Sequence, residues 1–271
     1  MIYQQKVDFQ AHYLPKVYYD FLEEEGLYCP DGFPAPEWDE AWQQEAMTEL
    51  SISYALLSIS SPSVFTGNKF RSRELARKIN EEGAQIVSHA PGNLGFLATL
   101  LLPLVHSSIF EARYSLDELH ADGVGLMMNY GGVYLGDRRL DELMAELDGR
   151  GALAVMHPTQ PAVMAPDVNE EIPVPAFEYF VETTRAFLNM AHAYYDAAGF
   201  SEQKQLEMLL RNVDESHLFY GSDTPYTDIT ACVGQAEALE QTAKLTDAQK
   251  QKLFTGNALA LLPKLKERIH A

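Results

Sequence analysis

Two histidines and an aspartate, His12, His157 and Asp223, each stand at the C-terminal end of a different expected strand. Two imidazoles and a carboxylate suit a divalent transition metal, zinc first and manganese second. Such an ion lowers the pKa of bound water to about 7 and polarises a carbonyl. Gln10, two residues before His12, is the fourth candidate ligand. An amide oxygen is a poorer zinc ligand than an imidazole, so Gln10 is expected near the metal but weakly bound or unbound. Asp223 is also the candidate catalytic group, able to take a proton from a metal-bound water. Asn129 and Tyr130, at the end of another strand, are candidate substrate-binding groups. Plainer roles stay open for each: a turn cap for Asp223, a helix start for His12, a packed turn for His157, a turn former for Asn129. Ser222 is no nucleophile elbow, because Tyr220 stands where the motif needs glycine. No H-E-x-x-H occurs.

These residues converge only if the chain builds a parallel barrel. Strands are expected at 7–11, 51–58, 93–101, 123–128, 153–156, 193–197 and 218–220, alternating with helices at 15–25, 37–50, 71–82, 107–120, 138–148, 176–190 and 202–212. Helices follow from 229 to 241 and from 247 to 269, with a turn near Gly256-Asn257. Several strands are apolar on both faces, as in sheets covered on both sides. The alternation is that of an α/β fold with a parallel sheet, here a TIM-type (β/α)8 barrel. A doubly wound nucleotide-binding sheet is rejected: its glycine-rich turn is absent after the first strand, and the run from Gly123 and Gly125 has Met128 where the third glycine belongs. The strand count is seven, one short of a closed barrel.

At 271 residues the chain has room for one large core, so residues 1–271 are expected to form a single domain. A formal charge of −19 argues against nucleic acid and against an anionic membrane surface. Cys29 and Cys232 have no metal-like spacing, which fits a reducing, cytoplasmic setting. The N-terminus lacks the apolar run of a signal peptide.

The chain resembles the amidohydrolase-related family, the second amidohydrolase group, which includes aminocarboxymuconate-semialdehyde decarboxylase. The stretches that carry the resemblance are Asp8-Phe-Gln-Ala-His-Tyr-Leu-Pro15, Asp122-Gly-Val-Gly125 with Asn129-Tyr-Gly-Gly132, Val155-Met-His-Pro158, Tyr194-Tyr-Asp-Ala-Ala-Gly199, His217-Leu-Phe-Tyr-Gly-Ser-Asp-Thr-Pro225 and Thr255-Gly-Asn257. The resemblance implies a (β/α)8 barrel, one divalent metal held by His12, His157 and Asp223, a small-molecule substrate and a homodimer. It implies a metal-dependent hydrolase or a carbon–carbon lyase, such as a decarboxylase, acting on a small carboxylate.

Two departures qualify it. The family's His-x-His has Gln10 in its first position. A strand ending in a His-Ala-Gly-Gly type motif, whose histidine serves as acid, base or electrophile, has no counterpart between the helix ending near Asn189 and the strand from Ala193. His192, the histidine at this junction, precedes a strand and belongs at the other end of the barrel. The expectation is a barrel with an incomplete wall between His157 and Tyr194–Asp196. The alternative function is an impaired relative that binds a small acid or a partner without turnover; omission of a segment from the recorded sequence is the third possibility.

Overall fold

The structure, a computed structural model, describes Tyr3 and residues 5–30, 34–159, 195–198, 206–207, 210–211 and 213–269. The stretch 160–194, with the expected helix at 176–190 and the junction with His192, and most of the expected 202–212 helix lie outside these residues.

The strands are β1 (Lys6–His12), β2 (Ile52–Ser58), β3 (Leu94–Thr99), β4 (Gly123–Met127), β5 (Asn129–Tyr130), β6 (Val133–Tyr134), β7 (Leu153–His157), β8 (Tyr195–Asp196) and β9 (Leu218–Phe219). Five of them pair in the order β1-β2-β3-β4-β7, all parallel. β8 pairs with β9 in parallel. The chain after β9 then runs beside β1, through bridges Asp8↔Tyr220 and Ala11↔Thr224. One curved wall results, β8-β9-β1-β2-β3-β4-β7. Among the described residues β7 and β8 have no partner on their outer edges. Among the described residues the fold is a partial barrel of the TIM type.

The helices are α1 (Lys16–Glu24), α2 (Glu40–Leu50), α3 (Lys69–His89), α4 (Val105–Asp117), α5 (Asp141–Arg150), α6 (Ile229–Gln241), α7 (Asp247–Gln251), α8 (Asn257–Leu261) and α9 (Leu265–Ile269). Local chemistry sets several of their starts. Asp39 caps α2 by accepting from Trp42 N at 2.7 Å, and Asn68 caps α3 by accepting from Phe70 N and Arg71 N. Three details differ from expectation. α3 runs on past Glu82 to His89, because Gly83 is buried under Tyr13 and Phe96 rather than ending the helix. The glycine-rich stretch after β4 is a two-stranded hairpin, β5 with β6, turning at Gly131 and Gly132 with φ of 59° and 89°. At the C-terminus Gly256 lies in a π-helical turn, Lys252–Gly256, and the break comes later, around Pro263.

Two apolar layers hold the wall. Between sheet and helices pack Ala11, Leu57, Ile79, Phe96, Val124 and Leu143. Inside the barrel Val7, Phe9, Tyr54, Leu56, Leu97 and Phe219 meet Ala258 and Leu265 from the C-terminal helices. At the end away from the strand C-termini, Arg268 on α9 donates to Tyr54 Oη at 2.8 Å and to Asp122 Oδ1 at 2.9 Å.

Candidate metal centre

β1 does not alternate cleanly. Val7 and Phe9 point inward, so strict alternation would send Ala11 inward and His12 out. The register against β2 instead steps from Asp8↔Ala55 to Ala11↔Leu57, three residues against two. This is a β-bulge, and it turns Gln10 and His12 into the barrel mouth. Asp8 holds it: its Oδ1 accepts from Gln10 N at 3.1 Å and from Ser222 N at 3.0 Å. Burial pushes the Asp8 carboxyl up to about 7, against the lowering effect of those N–H groups.

The segment after β9 delivers Asp223 to the same place. Asp223 N donates to Gln10 O at 2.8 Å, and His12 N donates to Thr224 O at 2.7 Å. Asp223 has φ of 62°, a left-handed conformation that Asp tolerates better than most residues. β7 contributes His157, in register with Met127 of β4.

His12, His157 and Asp223 each offer a ligand atom, and these atoms lie within 4.8 Å of one another. The His12 and His157 rings stand edge to face with centroids 4.9 Å apart. His12 Nε2 is 3.4 Å from Asp223 Oδ1. His12 Nδ1 meets Ser58 O at 3.3 Å and Ser58 Oγ at 3.1 Å, and His157 Nδ1 meets Pro158 O at 2.6 Å. A carbonyl can only accept, so it favours the tautomer with hydrogen on Nδ1 and leaves the Nε2 lone pair of each ring for the centre.

The centre passes a test for a divalent ion. His12 Nε2 is fully buried without a hydrogen-bond partner, a costly state that ligation would relieve. Burial and then His12 push His157 down to about 4, which keeps its imidazole neutral. Burial alone would raise the Asp223 carboxyl, but His12, Thr227 and His157 outweigh it and hold it below the usual range. Thr227 Oγ1 donates to Asp223 Oδ2 at 2.7 Å. Two imidazoles and an ionised carboxylate form a donor set for zinc or manganese.

Three neighbours were not among the expected site residues. Ser58 comes alongside through the register His12↔Ser58. The Tyr226 ring stands edge-on to His12 at 5.5 Å. Asp196 of β8 lines the same pocket as Gln10, His12 and His157. Burial raises the Asp196 carboxyl above the usual range. Apolar side chains, Phe9, Leu97, Met127 and Val155, complete the wall.

Asn129 and Tyr130 are buried in the hairpin. Tyr130 Oη accepts from Met127 N at 2.8 Å, and Asn129 Oδ1 accepts from Gly132 N at 3.3 Å. Tyr130 also lines a small cavity with Ser58, Thr99 and Gly125, beside the metal centre. The loop between β2 and α3 meets the start of the stretch after β7, where Ser61 and Thr159 share a hydrogen bond.

The chain is 32% identical to a solved amidohydrolase II, over 96% of this chain and 100% of that one, with a TM-score of 0.92. It belongs to the amidohydrolase II family and is an enzyme of that superfamily, a metal-dependent hydrolase or carbon–carbon lyase of a small carboxylate. A 6-methylsalicylic acid decarboxylase of Aspergillus aculeatus is 28% identical over 323 aligned positions, covering 96% of this chain and 97% of that protein. Those 323 positions exceed the 271 residues here by 52, so at least that many positions face a gap in this chain. A dihydroxybenzoic acid decarboxylase from Polaromonas sp. JS666, solved with bound manganese, shares the fold at a TM-score of 0.76 and 14% identity, covering 99% of this chain and 100% of that one. No family model matches the chain.

Proposed function

We propose that the chain is a divalent-metal-dependent decarboxylase of small hydroxybenzoate-type acids, with His12, His157 and Asp223 as metal ligands. The observation that carries this reading is the three-residue cluster with its unpartnered, buried His12 Nε2. The decarboxylase relatives supply the substrate class, and the apolar wall of Phe9, Leu97, Met127 and Val155 suits an aromatic ring. Asn129 and Tyr130 stay on the substrate side in this reading; Tyr130 is supported by its place in the cavity beside Ser58.

His12, His157 and Asp223 would hold the cation, which when bound would supply positive charge toward the substrate carboxylate. Ser58 and the Pro158 carbonyl keep the two imidazoles aimed. Asp223, the carboxylate of the cluster, takes the proton of the substrate hydroxyl and returns it to the ring carbon that bears the carboxylate. The carbon–carbon bond breaks, its electron pair stays on the ring, carbon dioxide leaves, and the hydroxyl oxygen keeps the negative charge. A positioned acid–base group of this kind contributes roughly 10²–10⁴-fold.

The proposal includes a single domain over residues 1–271, a homodimer and a cytoplasmic location. Both cysteines are free thiols, which suits a reducing compartment. Among the described residues no helix is long and apolar enough to cross a membrane. Light scattering tests the dimer.

The test of activity loads the protein with manganese and, separately, with zinc, and follows carbon dioxide release from a panel of hydroxybenzoates. Turnover with at least one metal is expected, falling at least 10²-fold in Asp223→Ala. Absence of turnover with both metals, in protein that binds them, would favour the impaired relative.

A further inference from the structure

Gln10 stands where the resemblance expects the first histidine of His-x-His. Its terminal amide lies between two carboxylates. One polar atom of the amide is 3.3 Å from Asp223 Oδ1. The other is 2.6 Å from Asp196 Oδ1 and 3.1 Å from Oδ2. Which atom is nitrogen follows from what each carboxylate can do. An ionised carboxylate only accepts. With nitrogen toward Asp196, two short N–H···O contacts form to one carboxylate. The reverse would press an amide oxygen to 2.6 Å from a carboxylate oxygen, acceptor against acceptor. The favoured orientation leaves the amide oxygen facing Asp223 Oδ1, two acceptors side by side, and such a pair is at ease around a cation.

How Asp196 reaches Gln10 is a second observation. β9 lies between β8 and β1, so their side chains stand two strand spacings apart, roughly 9–10 Å. The chain crosses that gap at Gly221. A Cβ at Gly221 would lie 2.9 Å from Gln10 Cβ and 3.1 Å from both Asp196 Oδ1 and Ala198 Cβ. Any side chain there would part the two residues. Asp196 is itself held, since its Oδ1 accepts from Ala198 N at 3.0 Å.

We infer that Asp196, reaching across Gly221, turns the Gln10 amide so that its oxygen is a fourth protein donor to the metal held by His12, His157 and Asp223. Asp196 is thus a positioning residue, and Gly221 is the space it works through. The inference rests on the metal centre proposed above. It accounts for a neutral amide in a ligand position: the neighbouring carboxylate polarises the amide and enriches its oxygen, as a carboxylate does for a metal-bound imidazole.

The test is manganese affinity, read by the electron paramagnetic resonance of free Mn(II) and by calorimetry, with circular dichroism to confirm folding. Gln10→Ala, Asp196→Ala and Gly221→Ala are each expected to weaken binding by roughly 10–100-fold. The Gln10→Ala, Asp196→Ala double variant is expected to be no weaker than either single one, because both remove the same ligand. Gln10→Glu alone sets two carboxylates together and is expected to disturb the site. Gln10→Glu combined with Asp196→Asn reverses donor and acceptor within the pair and is expected to restore affinity at least to that of the wild type. Unchanged affinity in Asp196→Ala, or multiplicative losses in the double variant, would overturn the inference. Wild-type protein with no manganese affinity beyond that of His12→Ala would overturn the metal centre itself, which is a different result.

Discussion

His12 and Ser58 show how one hydroxyl can govern a ligand. The parallel register sets them side by side, and the Ser58 hydroxyl and carbonyl both face His12 Nδ1. Ser58→Ala leaves the carbonyl at 3.3 Å as the remaining orienting contact. Manganese affinity is expected to fall about tenfold in calorimetric titration, against complete loss in His12→Ala. Wild-type affinity in Ser58→Ala would assign the orientation to the carbonyl alone. At this scale much of the site could be read from the sequence. His12, His157 and Asp223 stood at strand ends, and a parallel barrel brings strand ends to one mouth. Ser58 also ended an expected strand but did not stand out, because its place beside His12 depends on the β1–β2 register. Asp196 was visible only within the stretch Tyr194-Tyr-Asp-Ala-Ala-Gly199. It carries the same signal as Asp223, an acid at a strand end, yet contact with Gln10 depends on a glycine just past β9, twenty-five residues further on, Gly221 against Asp196.

The first strand depends on Asp8. Its carboxyl, raised to about 7, keeps a proton in the folded chain that the unfolded chain releases near pH 4. Between those values the folded state binds more protons, so this contribution to stability is full below about pH 4 and lost as pH rises to 7. His157 acts in the opposite sense. Its pKa of about 4 against roughly 6.5 unfolded makes stability rise with pH across that interval in the metal-free protein. Asp8→Asn keeps an oxygen that can accept from Gln10 N and Ser222 N, and it removes the first effect only. Urea midpoints at pH 4, 5.5 and 7 are expected to move in favour of the variant as pH rises. Parallel curves for the two proteins would show that Asp8 has an ordinary pKa. The strand itself was legible, but its bulge was not. Val7 to His12 gives no sign of a slipped residue, because the slip is defined only against Ile52–Ser58. Among the described residues the helices were legible to within a few residues except α3, which runs on past the expected end at Glu82 to His89.

For the whole molecule, the dominant feature among the described residues is a curved wall whose end strands, β7 and β8, have no partner on their outer edges. His157 sits at the end of β7, one of those edges, while Asp223 and His12 belong to the far side of the wall, next to β8 and β9. An ion held by all three would therefore tie the two ends of this wall together from within, by coordination bonds. Its binding would count toward folding, by about 2.7 kcal/mol at a hundred times Kd. Melting temperature is expected to climb with added manganese. Amide exchange is expected to slow most at 153–157 and 218–224, and least in β3 on the opposite side. Equal protection everywhere would mean the ion is a passenger. If the fastening is real, a chelator does more to this enzyme than remove a reagent: it unclasps the barrel, and the metal supply sets how long each molecule survives as well as how fast it turns over.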